Sequence, residues 1–441
     1  MKTMTNFFDR FVQRYLPDAF LFAITLTIVV FLIGMFVMGN TPVQMIDYWG
    51  NGFWDLLEFA MQMSLIVVTG NVLANTPVVK RLLEKPSALA KSPAQAVILV
   101  TITAIVASLI NYGFGLVGGA LFALQVAKRV PSADYRLLIA SAYSGFLLWH
   151  GGLSGAIPLW VATPGHFLED TIGTIPVTET LFSGSNLFII LILLITLPFL
   201  NRMLLKTQEG KIQNQIDWKD TGFKEEFEEP ELQAQTPSER LENSRIVSLI
   251  IGIFGLTYII YHFSANGFDL NIDIVNLIML FLGILLHRTP RRFLNSVNHA
   301  VRDAGGIIIQ FPFYAGIMGM MVDSGLSESM SLWFVSISNE FTYPLFVFLS
   351  AGLVNFFVPS GGGQWAVQGP MLVSASIDIG VDPTKTAMAV AWGSAWTNMI
   401  QPFWALPLLS VAGLKVKDIM GFCFIILVYS FFPIAIGLLF F

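Results

Sequence analysis

Apolar runs long enough to cross a lipid bilayer recur from one end of the sequence to the other, and no other feature restricts the fold so far. Residues 19–38 and 187–205 are two examples close to the roughly 20 residues that a helix needs to traverse the hydrocarbon core. Strand-sized alternating segments are missing from the sequence, so each span must satisfy its backbone groups internally as a helix. The expected fold class is an all-α polytopic membrane protein whose solvent is the lipid bilayer. Hydrophobic residues make up 55% of the chain and charged residues 12%, which excludes a soluble globular domain and gives no basic surface for nucleic acid.

Nine runs read as spans: 18–39, 53–75, 134–160, 186–206, 245–263, 271–287, 303–323, 384–412 and 418–440. The first is span-length and has no small-residue cleavage site before it, so no removable signal peptide is expected. Residues 1–17 carry Phe8, Phe11, Val12 and Tyr15 at helical spacing, which predicts an interfacial helix. The polar segment 207–244 is strongly acidic and reads as a solvated linker. With the N-terminus inside and the spans alternating, 23 of the 24 Lys and Arg residues fall on the cytoplasmic side, and only Lys385 falls outside. The same alternation puts the C-terminus in the periplasm. The single cysteine, Cys423, excludes an intramolecular disulfide.

Two further runs, 94–129 and 338–373, are interrupted by "NYGFG" and "NFFVPSGGGQ". The arms of the first, about 24 and 22 Å at 1.5 Å per residue, fall short of a core about 30 Å thick. Both runs are therefore expected to be re-entrant hairpins. A shift of 244 residues pairs Asn111 with Asn355, Gly118 with Gly362, Pro158 with Pro402 and Trp160 with Trp404. Five spans lie between the hairpins, so the second enters from the opposite side. This predicts an inverted-topology repeat: 18–206 as the first unit, 245–263 as a connecting span and 264–441 as the second unit. Each unit also holds a second break, "WHGGLSGAIPLW" within 134–160 and "SAWTNMIQPFW" within 384–412, which predicts two discontinuous helices.

Irregular backbone at membrane depth is tolerated around a polar cavity, and half-helix N-termini favour anions. The candidate substrate- or ion-binding residues are accordingly Asn111, Gly113, Gly115 and Gly118 in the first hairpin, and Asn355, Ser360, Gly361, Gly362, Gly363 and Gln364 in the second. His150, Ser154, Thr397, Asn398 and Gln401 join them from the second breaks. His150 is the one histidine expected deep in the membrane, as a carboxylate partner or proton carrier. Tight turns, caps and helix-to-helix hydrogen bonds compete with these readings. Asp134 and Asp378, matched by the repeat, read as charges compensating helix starts. No metal or cofactor motif is present and no catalytic residue is assigned. "GLSG" at 152–155 has the form of a rhomboid-type serine motif, which would require a histidine hydrogen-bonded to Ser154. A channel is the other alternative.

The strings "NYGFGLVGGALFA", "QFPFYAGI", "VPSGGGQWAVQGP" and "NMIQPFWALPLL" resemble the short-chain fatty acid transporter family, within a wider superfamily of ion-coupled carboxylate transporters. The resemblance implies uptake of small monocarboxylates such as acetoacetate or butyrate across the bacterial inner membrane, with H+ or Na+ as the coupling ion. It leaves another small organic anion, and a homodimer, open.

Overall fold

The computed structural model describes residues 19–205, 236–355, 358–401 and 403–441. The interfacial helix expected over 1–17 and most of the 207–244 linker lie outside these residues. Among the described residues all regular structure is helical. The first half contains α1 (Ala19–Phe36), α2 (Pro42–Gly52), α3 (Leu57–Ala74), α4 (Pro77–Ser87), α5 (Pro93–Ile110), α6 (Tyr112–Arg129), α7 (Tyr135–Gly145), α8 (Ala156–Val161) and α9 (Gly184–Leu204). After α10 (Arg245–Asn266) come α11 (Ile272–His287), α12 (Pro290–Ala300), α13 (Gly305–Asp323), α14 (Leu326–Ile337), α15 (Tyr343–Val354), α16 (Gly361–Ile379), α17 (Pro383–Thr397), α18 (Ala405–Ala412) and α19 (Val416–Phe440).

Six of these helices, α3, α5, α9, α10, α13 and α19, are long and apolar enough to cross a membrane. Several helices start at a Ser, Thr or Asp followed by Pro: Thr41-Pro42, Thr76-Pro77, Ser92-Pro93, Thr289-Pro290 and Asp382-Pro383. In each the side chain accepts a backbone N–H of the first turn, and the proline needs no such partner. These caps set off the short connecting helices α2, α4 and α12, which the reading of span-length runs does not separate from their neighbours.

Elements α1–α9 and α11–α19 run in the same order, leaving α10 unpaired, and their contacts repeat. Helix α1 packs on α13 as α11 packs on α3; α4 packs on α6 as α14 does on α16; α5 packs on α7 as α15 does on α17. The halves also cross: α8 reaches α16, and α18 reaches α6. Close approach at α5–α7 and α15–α17 depends on Gly145, whose missing Cβ leaves room for the Ala104 backbone, and Gly393, which does the same for Phe348.

The segment expected as one broken helix over 134–160 consists of α7, a 3-10 turn over Phe146–Gly151, and α8. Its counterpart over 384–412 consists of α17, a turn and α18. The first hairpin is tighter than the sequence suggests. Asn111 caps α6 at once by accepting the Phe114 N–H, so α5 and α6 hold 18 residues each. At 1.5 Å per residue they reach about 27 Å, and length alone no longer separates a hairpin from two spans there. Asp134 caps α7, but Asp378 lies in the last turn of α16 rather than at a helix start; Asp382, four residues on, caps α17.

Candidate functional site

The N-terminus of α16 brings residues of both halves together. Ser360 caps it, its Oγ accepting the Gly363 N–H at 3.4 Å. Three rings from three other elements then fill the space that side chains at Gly361, Gly362 and Gly363 would occupy. The His150 imidazole lies against Gly361, the Phe59 ring of α3 against Gly362, and the Tyr314 ring of α13 against Gly363. No residue with a Cβ fits any of these positions without displacing a ring.

His150 is fully buried, and neither ring nitrogen has a hydrogen-bond partner among the described residues. Its ring packs on Trp149 with centroids 3.6 Å apart. Trp149 in turn belongs to an aromatic cluster with Tyr112, Phe146 and Trp404, at centroid distances of 4.9, 5.4 and 6.0 Å. The Trp404 indole N–H donates to the carbonyl of Pro359, just ahead of the cap. A helix N-terminus carries partial positive charge and unpaired N–H groups, so an unpartnered buried imidazole beside it completes a set of donors able to hold one negative charge.

The other candidates have protein partners. Asn355 donates to Thr397 Oγ1 at 3.0 Å, accepts from Ser394 Oγ at 3.1 Å and lies 2.8 Å from the Asn398 side-chain amide. The second hairpin is thereby tied to the break after α17. Across the repeat the corresponding tie runs from the Tyr112 N–H to Ser154 Oγ, at 2.9 Å. Gln401 accepts the Phe403 N–H at 2.8 Å. Gln364 donates to the Ala351 carbonyl at 2.6 Å and to Gln368 Oε1 at 3.0 Å, which leaves its own Oε1 as a buried acceptor without a partner. In the first hairpin the glycines serve packing: a Cβ at Gly113 would sit 3.2 Å from the Val67 carbonyl, at Gly115 it would strike Ser108, and at Gly118 it would touch Phe114. Ser154 and His150 share no hydrogen bond, so the arrangement a serine protease needs is not formed. No group of His, Cys, Asp or Glu able to hold a metal occurs among the described residues.

An open cavity of about 620 Å³ lies along the far part of α16, lined by Asn51, Asp55, Phe167, Asp323, Pro370 and Asp378 among others. Burial and the negative charge of Asp323 push the Asp55 carboxyl above the usual carboxylate range. A run of aromatic rings leads from Phe167 in its lining to the start of α16. Phe167 meets Trp160 at 4.8 Å, Trp160 stacks on Phe59 at 3.5 Å, and Phe59 abuts Gly362. Phe59, Trp160, Tyr112 and Tyr314 were not among the sequence candidates: Phe59 and Tyr314 sit in apolar runs and carry no signal of their own, and Trp160 and Tyr112 stood out only as members of the repeat and of the "NYGFG" break.

A repeated helical membrane fold with broken helices converging on buried, unpartnered polar groups defines a polytopic membrane transporter. The chain belongs to the short chain fatty acid transporter family, whose sequence profile matches residues 1–441. It is 48% identical over 435 residues to a protein of Escherichia coli (strain K12) named for short-chain fatty acid transport, covering 99% of this chain and 98% of that one. A Haemophilus influenzae protein of the same designation is 45% identical over 446 residues, covering 99% of each. Among solved structures, the YdaH transporter of Alcanivorax borkumensis, described as having an unusual topology, superposes with a TM-score of 0.56 over 95% of this chain and 98% of its own. MtrF of Neisseria gonorrhoeae, described with a class of antimetabolite efflux pumps, gives 0.50 over 98% and 97%. Both are 13% identical, so they speak for the fold alone. The family is one of transporters rather than enzymes.

Proposed function

We propose that the chain carries short monocarboxylates one at a time across a bacterial inner membrane by ion-coupled alternating access, with the carboxylate held at the N-terminus of α16. The observation that carries this reading is the pairing of that helix start with His150, whose two ring nitrogens have no hydrogen-bond partner among the described residues. A neutral imidazole supplies one donor and one acceptor, and in the protonated form two donors. The Tyr112, Phe146, Trp149 and Trp404 rings give an acyl tail an apolar wall. Each methylene buried there contributes about 0.8 kcal/mol. Among the described residues no Lys or Arg is buried, so a second carboxylate would lack a cationic partner.

In this reading 161–185 faces the periplasm, the cavity beside Asp55 is the outer vestibule, and Phe167, Trp160 and Phe59 close it above the site. Both hairpins are re-entrant, their tips tied to the broken helices at Ser154 and Asn398. Coupling is to H+ or Na+, and His150 is the group that titrates if the ion is a proton.

Competition against labelled butyrate tests the proposal. Acetoacetate and butyrate should compete up to about tenfold better than acetate, and succinate and citrate poorly. His150→Gln should change the pH dependence of uptake. Equal inhibition by succinate would contradict a site for a single carboxylate.

A further inference from the structure

Five tyrosines are buried among the described residues, and four of their hydroxyls are paired. Tyr135 donates to the Ala412 carbonyl at 2.7 Å, Tyr143 to the Asn398 carbonyl at 2.6 Å, Tyr343 to the Leu372 carbonyl at 2.5 Å, and Tyr314 to Gln310 Oε1 at 3.2 Å. The Tyr112 hydroxyl has no hydrogen-bond partner among the described residues, although the residue is completely buried. A phenylalanine would fill the same space without leaving a polar group unpaired, so the hydroxyl is a donor open to a partner.

Its surroundings indicate where that partner sits. The Tyr112 N–H is fixed by Ser154, and the ring stands edge-on to Trp149 at 4.9 Å and to Trp404 at 5.7 Å. Trp149 is the same ring that packs on His150, and Trp404 is tied to Pro359 ahead of the α16 cap. One indole therefore separates Tyr112 from the proposed carboxylate position. In the reading given above the acyl tail runs along these rings, so the hydroxyl would meet it where a simple fatty acid offers only methylene groups. An oxygen at C3 would give it an acceptor.

We infer that Tyr112 is the specificity-determining contact for 3-oxo carboxylates, its hydroxyl donating to the C3 carbonyl oxygen while the carboxylate rests at α16. This rests on the reading of the carboxylate site given above. A buried site built to hydrogen-bond a substrate oxygen discriminates against an analogue that lacks it, because the protein group is then left unpaired.

The test is KM in proteoliposomes for acetoacetate and butyrate, with wild type, Tyr112→Phe and His150→Gln. Tyr112→Phe should raise the ratio of the acetoacetate KM to the butyrate KM about tenfold. Equal changes for both substrates, or none, would overturn the inference. His150→Gln reports separately on the carboxylate site: it should raise KM for both, and no change in either would refute that site whatever Tyr112→Phe does. A measurement on the unaltered protein guards against a variant that fails to fold. 3-Methylbut-3-enoate replaces the C3 oxygen of acetoacetate by a methylene of similar shape and should compete about tenfold more weakly. Equal competition by the two would likewise overturn the assignment.

Discussion

Replacing Gly361 with alanine puts a methyl group into the space that the His150 imidazole occupies. The new Cβ would stand 3.2 Å from Trp149 Cη2 and closer still to His150 Nε2 and Cε1, well inside the 3.4 Å at which ordinary contact begins. The ring is backed by Trp149 and is fully buried, so it has to retreat by roughly 1 Å, at an overpacking cost of about 1–3 kcal/mol. If His150 holds the carboxylate, the displacement also breaks a charge-assisted hydrogen bond worth about 1.5–3 kcal/mol. The expected outcome is a 10- to 100-fold rise in KM for butyrate uptake. Gly305→Ala is the control, because a Cβ there meets open space. Both proteins are compared by thermal unfolding in detergent and by uptake in proteoliposomes. A Gly361→Ala protein that is folded and keeps the wild-type KM would refute the assignment of the site to this helix start.

Three further outcomes follow from the same geometry. Asn355→Ala removes side-chain hydrogen bonds to Thr397 and Ser394 in a buried site and should lower stability by about 2–4 kcal/mol, whereas Asn111→Ala removes mainly a helix cap and should cost about 1 kcal/mol. Equal losses in thermal unfolding would contradict the different roles assigned to the two tips. Asp55 has a folded-state pKa raised above its unfolded value, so its ionised form costs stability at neutral pH and the cost is relieved as pH falls through the folded pKa. Asp55→Asn should therefore stabilise the protein at neutral pH. It should also speed butyrate uptake a few-fold at low ionic strength, less so at about 0.15 M salt, where charges are screened beyond about 8 Å. An unchanged rate at low salt would show that this carboxylate does not face the entry path. Single cysteines placed in 161–185 and 207–243, with Cys423 replaced, should react with an impermeant maleimide from outside the cell only at 161–185. Labelling of 207–243 from outside would contradict the orientation.

The breaks in the helices are legible in the sequence because polar, Gly and Pro residues stand out sharply in an apolar background: Pro359 and Gly361–Gly363 in one half, His150, Gly151 and Gly152 in the other. The repeat is legible for the same reason, since its identities gather at those breaks. The connecting helices α2, α4, α12 and α14 are harder to see. Their Thr-Pro starts at 41, 76 and 289 are a readable signal, but α14 begins at Gly325 without one. The site itself is legible only by half. Glycine letters mark where the backbone is approached closely, yet they do not say by what, so Gly361 and Gly115 read alike. One meets an unpartnered imidazole and the other a serine of the adjacent helix. The rings that enclose the site come from α3, α6 and α13, and only the packing brings Phe59, Tyr112 and Tyr314 together.

Uptake of labelled butyrate into proteoliposomes, with a sodium or proton gradient imposed in turn, tests the account most directly. Secondary transport of a monocarboxylate predicts saturable accumulation above the external concentration under one of the two gradients, abolished when that gradient is collapsed and competed by acetoacetate but not by succinate. Equilibration that never exceeds the external concentration, without saturation and indifferent to either gradient, would contradict it and favour a pore.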